Sequence, residues 1–237
     1  MATSLYNNLV FIGNLVQLGY VNCEEKFVAE CIAKLIKENN NQINIFEEIQ
    51  AYPELDTDQK QAVDGCFGDR VFCCQGLSGT GKSYVAGIIY KIGIKVGLKL
   101  LACAPTAKAA KRFSDMSGSE CTTIHRMLGY APNAGDIFRF NEMNKLDCDM
   151  VIVDESSMLD LNILYHLFKA LDMERIRICF VGDYHQLAPV RYGHPFKDLC
   201  LNFHVPKTIL TQIKRQKVGS DIIEQAHRIQ QGKMISL

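Results

Sequence analysis

The stretch "VFCCQGLSGTGKSYVAGII", residues 71–89, joins a short apolar run, a glycine-rich segment and the start of a helical pattern. Its centre fits G-x-x-x-x-G-K-[ST], and its setting between a strand and a helix is the one that a phosphate-binding loop requires. The glycines let backbone N–H groups turn toward phosphate oxygens, and the helix N-terminus adds partial positive charge. We interpret the stretch as a nucleotide site in preference to a glycine loop formed by chance.

Two side chains at the start of the predicted helix complete this site. Lys82 is expected to reach the β- and γ-phosphates, and the Ser83 hydroxyl is expected to ligate Mg²⁺. The sequence therefore predicts a nucleotide and Mg²⁺ as ligands, held by Gly76, Gly79, Thr80, Gly81, Lys82 and Ser83.

Apolar strands and helical patterns alternate after this loop. Strands are predicted at 98–104, 149–155 and 176–183, with helices at 83–97 and 107–116 and another in "LNILYHLFKALD". Such alternation favours a parallel sheet covered by helices on both faces. We therefore predict an α/β fold of the P-loop NTPase type.

A helical segment is predicted in front of this fold. The stretch "EEKFVAECIAKLIKE", residues 24–38, carries apolar positions on one helical face, and residues 1 to about 50 are expected to be helical. We assign residues 1–54 to an N-terminal helical segment and residues 55–237 to the ATP-binding domain. A polar insertion or hairpin is expected near 130–146.

Composition limits the location of the protein. No apolar run reaches the ~18 residues of a membrane-spanning helix, and the first residues lack the basic region of a secretory signal. The ten cysteines show no C-x-x-C spacing and lie mostly in apolar runs. We expect reduced core thiols and a cytoplasmic or nuclear location.

The distribution of charge along the chain is more informative than the net charge. The 26 basic and 26 acidic side chains cancel, so the total charge does not indicate a nucleic-acid partner. Residues 71–114 nevertheless hold six lysines and one arginine and no Asp or Glu, which suits contact with a polyanion. For Lys91, Lys95 and Lys99 a solvated helix face is the better interpretation.

Two further apolar strands end in polar residues. "MVIVDESSMLD" places Asp154 and Glu155 at the edge where α/β sheets bind ligands. Asp154 would hold Mg²⁺ through water and Glu155 would polarise the attacking water, whereas a helix-capping acid pair is the alternative. "CFVGDYHQLAPV" places Gln186 where an amide could sense the γ-phosphate, with a solvated loop glutamine as the alternative.

Six segments resemble the ordered motifs of superfamily 1 helicases. They are "LDTDQKQAV", "GLSGTGKS", "APTAKAAKRF", "TTIHRMLG", "VIVDESSMLD" and "VGDYHQLAPVRYGHPF", and the resemblance covers about residues 20 to 232. The residues in these motifs are most similar to those of the RecD-like branch, whose members translocate with 5′→3′ polarity. The resemblance implies a RecA-like fold and the ATP-binding half of a DNA helicase.

The resemblance also assigns roles to single residues. Gln59 would read the adenine edge, Gln186 would couple the γ-phosphate to the strand-binding surface, and Arg215 would touch the γ-phosphate. Contacts to the single-strand backbone are implied for Pro105, Thr106, Lys108, Thr123 and His125. Hydroxyls, backbone N–H groups and lysine suit phosphate contacts that read no base. For His125 a structural role at a short helix is an equal alternative.

The second RecA-like domain of the family is not contained in these 237 residues. We expect such a domain as a partner, supplied by missing sequence or another chain, together with single-stranded DNA, with RNA left open. The chain alone would then bind ATP, hydrolyse it slowly and unwind no duplex. The alternatives are a P-loop ATPase that does not unwind and a truncated binding module without catalysis.

Overall fold

A computed structural model describes residues 9–12, 15–39, 42–132 and 137–214 of the chain. Its strands, in chain order, are β1 (Leu9–Ile12), β2 (Leu15–Leu18), β3 (Val71–Gly76), β4 (Leu100–Ala104), β5 (Cys121–Thr123), β6 (Tyr130–Ala131), β7 (Ile137–Phe138), β8 (Met150–Val153), β9 (Arg177–Gly182) and β10 (Lys207–Leu210).

The helices connect and cover these strands. They are α1 (Gly19–Lys37), α2 (Phe46–Gln50), α3 (Thr57–Gly68), α4 (Lys82–Lys95), α5 (Ala107–Ser117), α6 (Ile124–Met127), α7 (Leu161–Ala170) and α8 (Pro195–Leu201), with a 3₁₀ turn at Ser156–Met158. The strands and helices predicted between residues 71 and 183 are therefore present, with ends that differ by a few residues.

The central sheet has six strands in the order β10-β3-β9-β8-β4-β5. All five neighbouring pairs are parallel, as the sequence predicts. Every residue of β3, β8 and β9 is buried. Because all strands point the same way, their carboxyl ends meet at one edge of the sheet, and the loops that follow β3, β8 and β9 lie there together.

The sheet divides the interior into two apolar layers. On β9, Phe180 packs in the layer that includes α1 and α7, whereas its neighbour Cys179 packs in the layer that includes α3 and α4. This alternation is the period of two that a strand imposes on its side chains. Fully buried residues such as Phe67 and Phe168 each contribute ~1.5–3 kcal/mol by leaving water.

Residues 9–12 and 15–18 correct the expectation that residues 1 to about 50 are helical. They form β1 and β2, which pair antiparallel from Leu9 opposite Leu18 to Ile12 opposite Leu15. The apolar runs LVFI and LVQL flank a Gly-Asn pair, and this pattern is typical of a hairpin. The helical periodicity on which the expectation was based lies further along the chain, in α1.

Helix α1 is part of the main core. Its residues Val28 and Leu35 belong to the same apolar cluster as Leu164 of α7. The buried carboxylate of Glu24 also accepts hydrogen bonds from Asn162 Nδ2 and Tyr192 Oη, both at 2.8 Å. Because a buried carboxylate needs such partners, these contacts attach α1 to α7 and to the segment that follows β9.

Within the predicted insertion near 130–146, β6 and β7 form a short antiparallel hairpin that pairs Tyr130 with Phe138. All ten cysteines are free thiols and eight of them are buried, as expected of core residues. Among the helices of the described ranges, none combines the length and apolar character needed to cross a bilayer.

Gly65 of α3 packs against Phe72 of β3, so a larger residue at this glycine should strain the core. A Cβ at Gly65 would lie 2.2 Å from Cε2 of the buried Phe72 ring. Gly65→Ala should therefore lower the free energy of unfolding by ~1–3 kcal/mol, measured by urea denaturation. Gly68→Ala in the same helix is the matched control, because its Cβ meets nothing within 4 Å. Equal stability of the two variants would show that the Gly65 contact relaxes without cost.

Candidate functional site

The glycine-rich loop lies between β3 and α4 and is closely packed. Gly81 has φ of 86°, and a Cβ there would lie 2.9 Å from Gln59 Nε2. A Cβ at Gly76 would lie 2.6 Å from Thr80 Oγ1. Thr80 itself is 1% exposed, and its hydroxyl donates to Leu77 O at 2.9 Å. The loop therefore has the close packing that a phosphate cradle requires, and side chains at these glycines would collide with Thr80 and Gln59.

Lys82 begins α4 and turns back over the loop. Its Nζ donates to Gly76 O at 2.6 Å and to Leu77 O at 3.0 Å. Burial lowers the pKa of Lys82, while the carboxylates of Asp183, Glu155 and Asp154 oppose that shift. The ammonium thus experiences the charge of three acidic groups without an ion pair to any of them among the described residues. Phosphate oxygens are better acceptors for it than the two carbonyls that it contacts.

Ser83 and Asp154 are brought together from α4 and the end of β8. Ser83 Oγ donates to Asp154 Oδ2 at 3.0 Å, and Asp154 is 3% exposed. Burial, followed by the charge of Glu155, raises the pKa of Asp154 to about 6. A hydroxyl and a carboxylate oxygen are ligands that Mg²⁺ prefers, and a cation would offset the cost of the buried charge. The predicted metal residues therefore fit this ion.

Glu155 has an unusual backbone conformation. Its φ of 51° and ψ of 42° are left-handed, and it is the single non-glycine residue with positive φ among the described residues. Such a conformation costs ~1–3 kcal/mol and is commonly found at functional sites. Glu155 Oε1 accepts from Arg112 Nη1 at 3.1 Å. From the sequence, Arg112 is one cation of the basic stretch at 71–114, and its contact with Glu155 is seen in the structure alone.

Gln59 is held by two neighbouring segments. Its backbone N–H donates to Asp56 Oδ1 and its Oε1 accepts from Asp56 N at 3.3 Å, which completes a capping box at the start of α3. Its Nε2 donates to Thr80 O in the loop at 3.3 Å. Gln59 therefore links the first turn of α3 to the glycine-rich loop. The Asp56-x-x-Gln59 spacing could have indicated the helix cap, but not the contact with Thr80. Its contact with adenine stays a prediction.

Gln186 lies next to a buried acid that the sequence analysis did not assign. Asp183 is 1% exposed, and its Oδ2 accepts from Gln186 Nε2 at 3.4 Å. Of the acidic groups that act on Lys82, Asp183 has the largest influence on the pKa. The signal was present in the sequence, since Asp183 follows an apolar strand in the same way as Asp154. Gln186 thus contacts the carboxylate whose charge acts most strongly on the loop lysine.

The two predicted strand-contacting segments lie side by side. Pro105 and Thr106 follow β4, Thr123 ends β5, and Ala104 pairs with Thr123 in the register of the sheet. Thr106 Oγ1 accepts from Ala109 N, capping α5, and Thr123 Oγ1 accepts from Arg126 N, capping α6. Lys108, Pro105 and both threonines are at least partly exposed. The fold thus gathers these residues at the same sheet edge as the nucleotide loop.

His125 projects from α6 into a group of rings. Its ring centroid lies 5.3 Å from that of Tyr130 and 6.2 Å from that of Phe138, and burial lowers its pKa. Arg215 lies outside the described residues. Its described neighbour Lys214 donates from its backbone N–H to Gly79 O at 2.9 Å, so the described chain after β10 reaches the loop at residue 214.

A family model described as an AAA domain matches residues 54–236. The chain belongs to the AAA domain family. This domain is 36% identical over 179 residues to the ATP-dependent RecD2 DNA helicase of Deinococcus radiodurans, covering 76% of this chain and 24% of the relative. It is also 30% identical over 165 residues to RecBCD enzyme subunit RecD of Mycolicibacterium smegmatis, covering 60% of this chain and 30% of the relative. These relatives confirm the resemblance to the RecD-like branch.

The fold of this AAA domain is also found among solved helicases. Pif1 helicase from Candida albicans superposes with a TM-score of 0.56 at 20% identity, over 77% of this chain and 45% of that chain. The predicted RecA-like architecture is thereby confirmed. The chain spans 24% and 30% of the length of the two curated relatives.

The buried carboxylate of Asp154 makes stability depend on pH. Its folded-state pKa of about 6 exceeds its usual value of 3.8, so the folded state loses stability as pH rises between about 4 and 6. In Mg²⁺-free buffer Asp154→Asn should therefore stabilise the protein by ~1–3 kcal/mol at pH 8 and by almost nothing at pH 4. Urea denaturation at several pH values measures this.

Asp160→Asn is the matched control for this prediction. Asp160 caps α7 by accepting from Ile163 N at 2.8 Å, and asparagine caps helices about as well as aspartate. A gain at Asp154 that did not change with pH would show that its carboxylate is not destabilised by burial.

Proposed function

We propose that this chain is the ATP-binding half of a superfamily 1, RecD-like helicase that moves 5′→3′ on single-stranded DNA. One observation carries the proposal: a single sheet edge holds the phosphate loop, the acids that follow β8 and the two strand-contacting segments. Such an edge lets a change at the nucleotide reach the residues that would hold the strand. The Deinococcus radiodurans relative is named as a DNA helicase, which disfavours a P-loop ATPase without unwinding.

The residues of the loop suggest how ATP would be held. Backbone N–H groups of the loop and the Lys82 ammonium would bind the phosphates, while Gln59 would contact adenine. Ser83 and Asp154 would hold Mg²⁺, which when bound supplies positive charge against the phosphate oxygens. The charge of Asp183 favours the ammonium form of Lys82 and so opposes the effect of burial on its pKa.

Hydrolysis requires a base for the attacking water. Glu155 is the proposed base, because its carboxylate follows Asp154 at the sheet edge and its backbone is held in a strained conformation. Gln186 would sense the γ-phosphate through its position beside Asp183, and Arg215 would contact the γ-phosphate. Each of these roles has a side chain of the matching chemistry in this sequence.

The strand would be held through its backbone. Thr106, Thr123 and Lys108 offer hydroxyl and ammonium donors at the sheet edge, and none of the proposed contacts reads a base. His125 would add a ring to this surface. DNA is the proposed strand because the Deinococcus radiodurans relative is named as a DNA helicase.

Complete activity would require a second domain. The curated relatives are three to four times longer than the matched part, and we propose that a second RecA-like domain closes the nucleotide cleft. An arginine supplied across such a cleft contributes about 10³–10⁵ in rate. This chain alone would therefore hydrolyse ATP slowly. Ten free thiols suit a reducing compartment, the cytoplasm or nucleus.

Two variants should separate nucleotide binding from hydrolysis. Glu155→Gln should retain ATP affinity and lower turnover by about 10²–10⁴-fold, because the amide cannot accept the proton. Lys82→Ala should instead weaken Mg²⁺–ATP binding. Calorimetry measures affinity and phosphate release measures turnover. Unchanged turnover in Glu155→Gln would assign the base elsewhere, and unchanged affinity in Lys82→Ala would remove that lysine from the site.

Strand binding should depend on salt and not on sequence. Fluorescence anisotropy with labelled single strands should show affinity falling as salt rises, because counterions are released from phosphates. Lys108→Ala should reduce the slope of log K against log salt by about 0.7. Lys91→Ala removes the same charge from an exposed position on α4 and should leave the slope unchanged. A slope independent of salt in the native chain would contradict binding through phosphates.

A further inference from the structure

Helix α5 connects the predicted strand contacts with the predicted base. It begins directly after Thr106 and carries Lys108 in its first turn. Arg112 lies four residues after Lys108, so the two cations share one face of the helix. From that face Arg112 Nη1 reaches Glu155 Oε1 at 3.1 Å. One arginine therefore stands between the surface that would hold the strand and the carboxylate that would activate water.

This ion pair is open to exchange. The Arg112 side chain is 47% exposed, whereas that of Glu155 is 18% exposed. Exposed pairs add at most about fivefold to an equilibrium constant, so a competing anion can replace the carboxylate at small cost. A guanidinium suits this exchange because its planar set of N–H donors matches phosphate as well as carboxylate.

On the basis of the strand binding proposed above, we propose that Arg112 exchanges partners. Without a strand it pairs with Glu155. When a strand lies along α5 next to Lys108, Arg112 turns to a backbone phosphate and leaves the Glu155 carboxylate free to accept a proton. Arg112 is thus an additional phosphate contact and a positioning residue for the base, through which strand binding promotes hydrolysis.

Reciprocity makes the exchange measurable without ATP. The strand and the Glu155 carboxylate compete for the same guanidinium. Removing the Glu155 charge must therefore strengthen strand binding by the factor that breaking the Arg112–Glu155 pair costs. Labelled single-stranded DNA is titrated in the absence of nucleotide and Mg²⁺, across salt, with the native chain, Glu155→Gln, Arg112→Ala and the double variant. Arg112→Lys tests whether charge alone is sufficient.

Glu155→Gln should tighten binding by about two- to fivefold. Arg112→Ala should weaken binding and lower the salt slope by about 0.7, because one phosphate contact is lost. In the Arg112→Ala background the Glu155→Gln gain should disappear. Arg112→Lys should retain most of the salt slope. Lys91→Ala is the charge control and should change nothing.

The alternative is a general field effect of the Glu155 charge. In that case Glu155→Gln would strengthen binding equally with and without Arg112, and this result would overturn the exchange. An unchanged slope in Arg112→Ala would also overturn it, since no phosphate contact would have been lost. Failure of the native chain to bind any single strand would instead refute the proposed function, so the two failures are distinguishable.

Discussion

The parallel pairing of β3, β9, β8 and β4 is the constraint on which the rest of the structure depends. Both faces of this sheet are covered by apolar layers, so its polar groups have one place where they can act, the edge at which all strands end. The loop, the acids and the threonine caps belong to separate segments of the sequence. Strand direction alone brings them to the same edge.

This arrangement places several charged side chains close together. Asp154 and Asp183 are almost fully buried, and Glu155 and Lys82 lie near them. Burial acts against every one of these charges, while the opposite sign of Lys82 and the hydrogen bonds of Ser83 and Gln186 partly offset the cost. A protein built for stability alone would carry apolar residues here, so the crowding reflects what the site must bind.

Much of the fold and the nucleotide site follows from local patterns. The apolar runs at 71–76 and 177–182 predict strands because parallel strands are apolar throughout, and the glycine spacing predicts the loop because only glycine fits its close packing. The strands at 9–12 and 15–18 are not predicted, because the helical periodicity that predicts a helix for this region belongs to α1 alone. The Arg112–Glu155 pair joins residues 43 apart in sequence, and no local pattern encodes such a contact.

The position of Gln59 has a consequence for base selection. Both ends of its amide are already engaged, one in the cap of α3 and one on Thr80 O. A carboxamide has two N–H donors and two acceptor lone pairs, so a purine could use the second donor and the second lone pair while the helix cap stays formed. The cap and the contact with Thr80 O fix the orientation of the amide before any base arrives. The choice of base would then depend on how the first turn of α3 lies against the loop.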